Sequence, residues 1–224
     1  MIPPPAYPRT PYLLAPLCCV GDDRVVAAGD VAAWLQRPVL VEEKLDGANV
    51  SLWLDGGRVQ VASRGGAGAI DRAGQLGRLR AWAADRDESL RQLLAGGWAV
   101  YGEWLWLTHG TAYDTLPDWL VVLDCWHLST GFASVEERDG RAGGAGLVVP
   151  PRRFEGVLGG EAALQSLFGP SLYSRSGRAE GLVLRAADGR RCKVVDPSYR
   201  RRTDEDWDDR QHNALAEPAT KGTS

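Results

Sequence analysis

Pro38-Val39-Leu40-Val41-Glu42-Glu43-Lys44 runs through Leu45-Asp46-Gly47-Ala48-Asn49 into Val50-Ser51-Leu52-Trp53-Leu54, then Asp55-Gly56-Gly57 and Arg58-Val59-Gln60-Val61. Residues 38–44 read as a first strand. After the turn at Asp46-Gly47, Val50, Leu52 and Leu54 alternate with Ser51 and Trp53, the two-residue period of a half-buried strand. Asp55-Gly56-Gly57 reverses the chain, and Val59 and Val61 resume the alternation. The stretch therefore predicts a β-hairpin with a glycine turn.

Downstream, Leu76, Leu79, Trp82, Leu90, Leu93 and Leu94 recur at roughly helical spacing, and Gly96-Gly97 ends the run. Residues 98–107 and 119–128 read as strongly apolar strands. Residues 139–151 read as a mobile glycine-rich loop and 161–168 as a short helix ending at Gly169-Pro170. Residues 181–185, Asp188-Gly189 and 191–195 form a second predicted hairpin. Upstream, six of the 13 prolines fall within the first sixteen residues, which predicts an extended arm. The tail from Tyr199 is charged; one helix carrying Trp207 is expected there, with disorder beyond about residue 211. The organisation expected is an arm over 1–20, one domain over 21–200 and a tail over 201–224. Mostly antiparallel strands with a few helices and no internal repeat argue for α+β rather than a doubly wound fold.

A chain of 224 residues suits one good-sized domain, and 44% hydrophobic with 25% charged residues is ordinary for a globular one. Such a chain buries roughly 70% of its unfolded surface and needs no disulfide or metal staple. No run approaches about eighteen apolar residues, so no membrane span is expected. Met1-Ile2-Pro3-Pro4-Pro5 lacks the basic start and apolar run of a secretory signal, which favours the cytoplasm. Cys18 and Cys19 are adjacent, Cys125 and Cys192 stand alone, and His109, His127 and His212 have no metal-ligand spacing, so zinc is not expected. Of the 26 basic residues only Lys44, Lys193 and Lys221 are lysine. Arginine stays protonated, whereas an amine can lose its proton and become a nucleophile. Lys221 lies in the tail; Lys44 and Lys193 call for an explanation.

Lys44-Leu45-Asp46-Gly47 leaves a strand and enters a tight turn, which would present the amine at a pocket mouth. Taken alone, it is more often the pattern of an exposed loop lysine beside a solvated aspartate. Other segments add weight. Ser63-Arg64-Gly65-Gly66 closes the first hairpin with glycines that let backbone approach a ligand. Tyr101-Gly102-Glu103 puts a carboxylate inside an apolar strand, where an unpaired charge is costly. Glu180-Gly181-Leu182-Val183-Leu184 opens the second hairpin with another carboxylate, and Arg191-Cys192-Lys193-Val194-Val195 closes it with the second lysine.

Together these five segments, in this order over about residues 39–196, resemble the adenylyltransferase domain of the covalent nucleotidyltransferases. Glu43-Lys44-Leu45-Asp46-Gly47-Ala48-Asn49 is most similar to the ATP-dependent RNA ligase branch, in which E-K-x-x-G-x-N is typical. The resemblance implies an α+β nucleotidyltransferase (ATP-grasp-like) domain, with antiparallel sheets flanking an ATP pocket and no OB domain. It implies that Lys44 attacks the α-phosphate of ATP, displaces pyrophosphate and forms a lysine–AMP phosphoramidate. A neutral amine is needed, so nearby cations, Lys193 and Mg²⁺ (or Mn²⁺), are expected to lower its pKa. The resemblance puts Arg64 on the ribose and phosphate side and Glu103 on the ribose hydroxyl. It puts Glu180 on the metal, Lys193 on the α-phosphate and the backbone of Glu43 on the adenine amino group. The product of such chemistry would be RNA joined between 5′-phosphate and 3′-hydroxyl ends, in RNA repair, with an end-healing enzyme as a possible partner.

The chain also departs from the family pattern. Arg191 stands where K-x-K has its first lysine, and Leu123 stands where an adenine-stacking aromatic is expected, with Trp119 or Trp126 as substitutes. Nothing after residue 200 is long enough for the C-terminal module that often grips the nucleic acid. Residues 175–202 offer compensation: eight arginines and Lys193 face only Glu180, Asp188 and Asp196, which suits a phosphate backbone. Asn49, Arg185 and Arg190 are the candidates for nucleic-acid contact, RNA before DNA. The rival readings are a minimal DNA ligase or guanylyltransferase, a catalytically inactive ligase-derived nucleic-acid-binding module, and an enzyme that adenylylates itself but seals only with a partner.

Overall fold

In the computed structural model, which describes residues 3–15, 24–64, 74–199 and 211–217, the opening stretch forms β1 (Pro38–Lys44), β2 (Ala48–Asp55) and β3 (Arg58–Ser63). The three residues between β1 and β2 carry the chain from one sheet to another. β1 lies inside a four-stranded sheet of order β7-β1-β8-β9, with β7 (Arg152–Val157), β8 (Gly181–Ala186) and β9 (Arg191–Val195). β2 lies inside a five-stranded sheet of order β3-β2-β4-β5-β6, with β4 (Trp98–Trp104), β5 (Leu120–His127) and β6 (Gly131–Phe132). All ladders between these strands are antiparallel. The expected α+β architecture with two antiparallel sheets is what the chain adopts.

Each sheet buries one face against helices. On the first sheet Val39, Val41, Leu182, Leu184, Cys192 and Val194 pack with Trp34 and Leu35 of α1 (Ala28–Gln36) and with Leu13 of the arm. On the second, Val50, Leu52, Val100, Trp104 and Leu120 pack with α2 (Gln75–Ala84) and α3 (Asp87–Leu94) through Leu79, Trp82, Leu90 and Leu94. Successive strand side chains point to opposite faces. Glu42, Lys44, Arg185, Arg191 and Lys193 therefore leave the first sheet on the face away from its core. Asn49, Tyr101, Glu103 and Asp124 leave the second sheet likewise. Arg185 and Arg191 reach Asp124 across this space at 2.7 and 2.8 Å, so the two polar faces enclose one cleft.

Four features differ from the sequence reading. The helical run breaks at Asp85-Arg86 into α2 and α3. The expected mobile loop over 139–151 is half helix: α4 (Val135–Gly144) runs through it. Ser134 caps α4 by accepting from Glu137 N at 3.2 Å, and ion pairs of its buried Arg138 anchor it. These tertiary contacts outweigh the weak helix propensity of the glycines. α1, β6 and β7 carry no pattern the sequence reading identified. Finally, residues 211–217 are ordered against the body. Asn213, 5% exposed, donates to Leu105 O and Leu107 O at 2.7 and 3.1 Å and accepts from Thr108 Oγ1 and Tyr113 N at 2.8 and 2.9 Å. A buried amide satisfied four times fixes its segment. The helix expected around Trp207, together with Gly65, Gly66, Cys18, Cys19 and Lys221, lies outside the described residues. Among the described residues no helix is long and apolar enough to cross a membrane.

Candidate active site

Lys44 ends β1 on the cleft face, and its Nζ makes a very short contact with the Glu180 carboxylate, which immediately precedes β8. The register places Lys44 opposite Gly181 and Gly181 opposite Val195. A Cβ at Gly181 would stand 2.0 Å from Val194 O, so a side chain there would force β9 away. The turn after Lys44 needs a second glycine. A Cβ at Gly47 would meet Trp104 O at 2.5 Å, and the Gly47 amide donates to Glu103 Oε1 at 3.0 Å. Close backbone approach thus seats the lysine turn against β4 and aims Glu103 at it.

Asp46 fixes the turn from the other side. Its carboxylate accepts from the Thr111 amide at 3.1 Å, and at shorter range from the Gly110 amide and the Tyr199 hydroxyl. Its own amide donates to Tyr113 Oη at 2.8 Å. The sequence reading passed over Asp46 as a side chain with a role of its own. The available signal was its place in the tight turn that directly follows Lys44.

The electrostatics differ from the expected cationic surroundings. Burial pulls the Lys44 amine towards the neutral form, but the carboxylates of Glu180, Glu103 and Asp46 outweigh it and raise its pKa above the ordinary lysine value. Lys44 is thus an ammonium in this state, held by anions. Glu103 is pushed up to about 7 by burial, against the opposing effect of Lys44. Glu180 and Glu103 therefore share one cation between them.

The remaining predicted residues divide. Lys193 lies on the cleft face of β9, opposite Val183, which is itself opposite Glu42. That places it two strands from β1, roughly 10 Å across the sheet. Arg191 is on the same face, bound to Asp124 at 2.8 Å. Arg64 follows β3, with its amide on Asn49 O at 3.1 Å. Arg64 and Asn49 line a cavity of about 180 Å³ between the second sheet and the arm residues Pro3 to Tyr7. The Glu43 side chain points away from the cleft, 1% exposed, and accepts from Arg153 at 2.6 Å and the Leu172 amide at 2.9 Å. Its amide donates to Pro151 O at 2.9 Å.

Arg185 corrects the sequence reading. Expected as a surface cation for nucleic acid, it is 8% exposed and binds Glu42 at 2.6 Å and Asp124 at 2.7 Å. Arg190 is exposed but paired with Asp188 at 2.7 Å, and Arg178 with Asp196 at 2.7 Å. The described part of the basic 175–202 stretch is therefore not one continuous cationic face. Arg185 belongs instead to a buried set with Arg138, Glu42, Asp124 and Arg191. Sequence reasoning missed this set. Its signal was a glutamate at 42 one position out of phase with Glu43, hence on the opposite face of the same strand.

The adenine-stacking question gains detail. The Leu123 carbonyl accepts from Arg138 and Arg185 at 3.1 and 2.8 Å, and Trp119 packs partly buried against two core clusters. The aromatic rings gathered beside Asp124 are Tyr7, Tyr101 and Phe132. Tyr7 and Tyr101 have centroids 4.9 Å apart, and the Tyr7 hydroxyl meets Asp124 at very short range.

The RNA ligase family model matches residues 37–200. Among solved structures, the chain is similar to Naegleria gruberi RNA ligase in several forms. An apo mutant is 17% identical with a TM-score of 0.55, covering 74% of this chain and 51% of that one. A mutant with AMP and Mn is 18% identical at 0.52, covering 73% and 51%. A mutant with ATP and Mn is 16% identical at 0.52, covering 87% and 61%. At such identities the likeness is one of fold, and the chain spans about half the length of the first two structures. No curated protein matches it.

Proposed function

The chain belongs to the RNA ligase family, and from that premise we propose that it is an ATP-dependent RNA ligase working through a Lys44–AMP intermediate. The observation that carries this reading is the convergence of Lys44, Glu180 and Glu103 at a turn between two sheets, with Lys193 on the same cleft face. Once the Lys44 ammonium has released a proton to solvent, its neutral Nζ attacks the α-phosphorus of ATP, the bond from that phosphorus to the bridging oxygen of the β-phosphate breaks, and pyrophosphate leaves. The AMP then passes to the 5′-phosphate of an RNA end. Attack by a 3′-hydroxyl forms the phosphodiester and releases AMP.

This chain's residues have separable tasks in that sequence. Asp46 and Gly47 hold the amine in line. Glu103 receives the ribose hydroxyl, Arg64 the ribose and phosphate side, and the backbone of Glu43 the adenine amino group. Lys193 neutralises charge that grows on the α-phosphate, the dominant requirement of phosphoryl transfer. Among the described residues no three His, Cys, Asp or Glu side chains converge as a metal-holding group. Glu180 alone suits the mode in which Mg²⁺ or Mn²⁺ keeps waters and takes its other ligands from nucleotide phosphates. Such a cation, held by Glu180, would supply charge neutralisation at the phosphates. Without its Glu180 contact, Lys44 would lose the largest anionic influence keeping the amine protonated.

The substrate is tested with 5′-phosphorylated nicked duplexes of RNA and of DNA, incubated with ATP and Mg²⁺ or Mn²⁺. Sealing of the RNA nick at least tenfold faster than the DNA nick is expected. Equal sealing, or a preference for DNA, would overturn the RNA assignment while leaving nucleotidyl transfer in place.

A further inference from the structure

β9 closes one side of the first sheet, and the proline-rich arm covers it. The Lys193 amide donates to Pro11 O and the Leu13 amide to Lys193 O, both at 2.8 Å. Tyr12 is paired on its other side as well, donating to Arg24 O at 2.8 Å and accepting from Val26 N at 2.7 Å. Leu13, the next residue, is fully buried in the first sheet's core. The backbone at residue 12 is thus held from both sides.

The side chains of the arm meet the two cleft-facing cations of β9. Lys193 Nζ lies 3.9 Å from the centroid of the Tyr12 ring. The Arg191 guanidinium lies 4.4 Å from the centroid of the Tyr7 ring, and its Nε donates to Thr10 Oγ1 at 3.3 Å. The arm, expected from the sequence to be a separate extended segment, backs both cations with aromatic faces.

We infer that the arm is a working part of the active site and that Tyr12 is a positioning residue for Lys193. The inference rests on the role given to Lys193 above. A lysine ammonium sits on a flexible four-carbon stem, so a fixed direction has to be imposed on it. An aromatic ring attracts the cation through its quadrupole and carries no formal charge. The Tyr12 ring thereby gives the Lys193 ammonium a preferred direction in the cleft.

Two measurements test this together. The chain has three lysines, so protein made with lysine labelled with carbon-13 at Cε gives three resolvable signals, and Lys193→Ala identifies the one that matters. That signal is expected to be shifted upfield by the Tyr12 ring current, and to return to the ordinary lysine position in Tyr12→Leu. In rapid-mixing measurements of AMP transfer to Lys44 at saturating ATP, Tyr12→Leu is expected to be slowed about fivefold to tenfold. Tyr12→Phe, which keeps the ring, is expected within about twofold of the parent. In a Lys193→Ala background Tyr12→Leu should add no further loss, because its effect passes through the missing ammonium.

An unshifted Lys193 signal in a protein that takes up AMP would overturn the inference. So would an equal loss in Tyr12→Leu with and without Lys193, or an equal loss in the Phe and Leu variants. A shifted Lys193 signal in a protein that takes up no AMP would instead overturn the ligase reading, and the catalytic role of Tyr12 with it.

Discussion

The amine of Lys44 has burial drawing it towards the neutral form, and Glu180, Glu103 and Asp46 drawing it the other way. The resting state therefore holds Lys44 as an ion pair with Glu180, which the proposed attack on ATP would have to break. The sequence made Lys44 conspicuous because lysine is so rare here, and it made Glu103 conspicuous as a charge in an apolar strand. Which charges surround Lys44 was not legible, because Glu180 lies 136 residues away and meets it only through the β1–β8 register. Glu103 supplies a test at this scale. Burial, partly offset by Lys44, raises its pKa to about 7, above the ordinary glutamate value. The folded protein holds a proton there that the unfolded chain releases, so this contribution to stability is complete below the unfolded pKa and is lost as pH rises through about 7. In urea unfolding, Glu103→Gln should therefore lose less stability than the parent between about pH 5 and pH 7.5, by on the order of 1–3 kcal/mol. Superimposable pH profiles of parent and variant would contradict the assignment.

Among the elements, the two hairpins were the most legible, because period-two alternation with glycine turns is a local signal. α4 was illegible for the opposite reason: its glycines argue for a loop, and what keeps it helical is a cap at Ser134 and the distant partner Glu42 of Arg138. The segment from 211 to 217 misled in the same way. Its polar composition reads as disorder, yet Asn213 binds the 105–113 stretch, which in turn holds Asp46 through Gly110, Thr111 and Tyr113. Tail, loop and lysine turn are therefore mechanically one unit. Asn213→Ala would take one hydrogen bond from each of two buried carbonyls, a hydroxyl and an amide. A loss of about 2–4 kcal/mol in denaturant unfolding is expected. A loss below about 1 kcal/mol would mean that the tail is dispensable to this unit.

At the scale of the molecule, two sheets with outward cores leave their polar faces opposed, and something must hold those faces at a fixed separation. Three arginines, 138, 185 and 191, with Glu42, Asp124 and Asp139, bridge the cleft from α4 through β1, β8 and β5 to β9. The set is neutral as a whole, as buried ions must be to remain charged. Composition pointed to an arginine-rich phosphate surface over 175–202; folding draws Arg185 and Arg191 inward instead. The family and the fold were readable because five short segments keep their order. The sheet partners of β1 were not, since they come from residues 152–157 and 181–186. The central claim, that this frame exists to present Lys44 to ATP, is tested most directly by intact mass after incubation with ATP and a divalent cation in the presence of pyrophosphatase. Addition of one AMP is predicted for the parent. None is predicted for Lys44→Arg, which keeps the positive charge and removes the titratable amine. An adduct of unchanged yield on Lys44→Arg, or no adduct on the folded parent, would contradict the account.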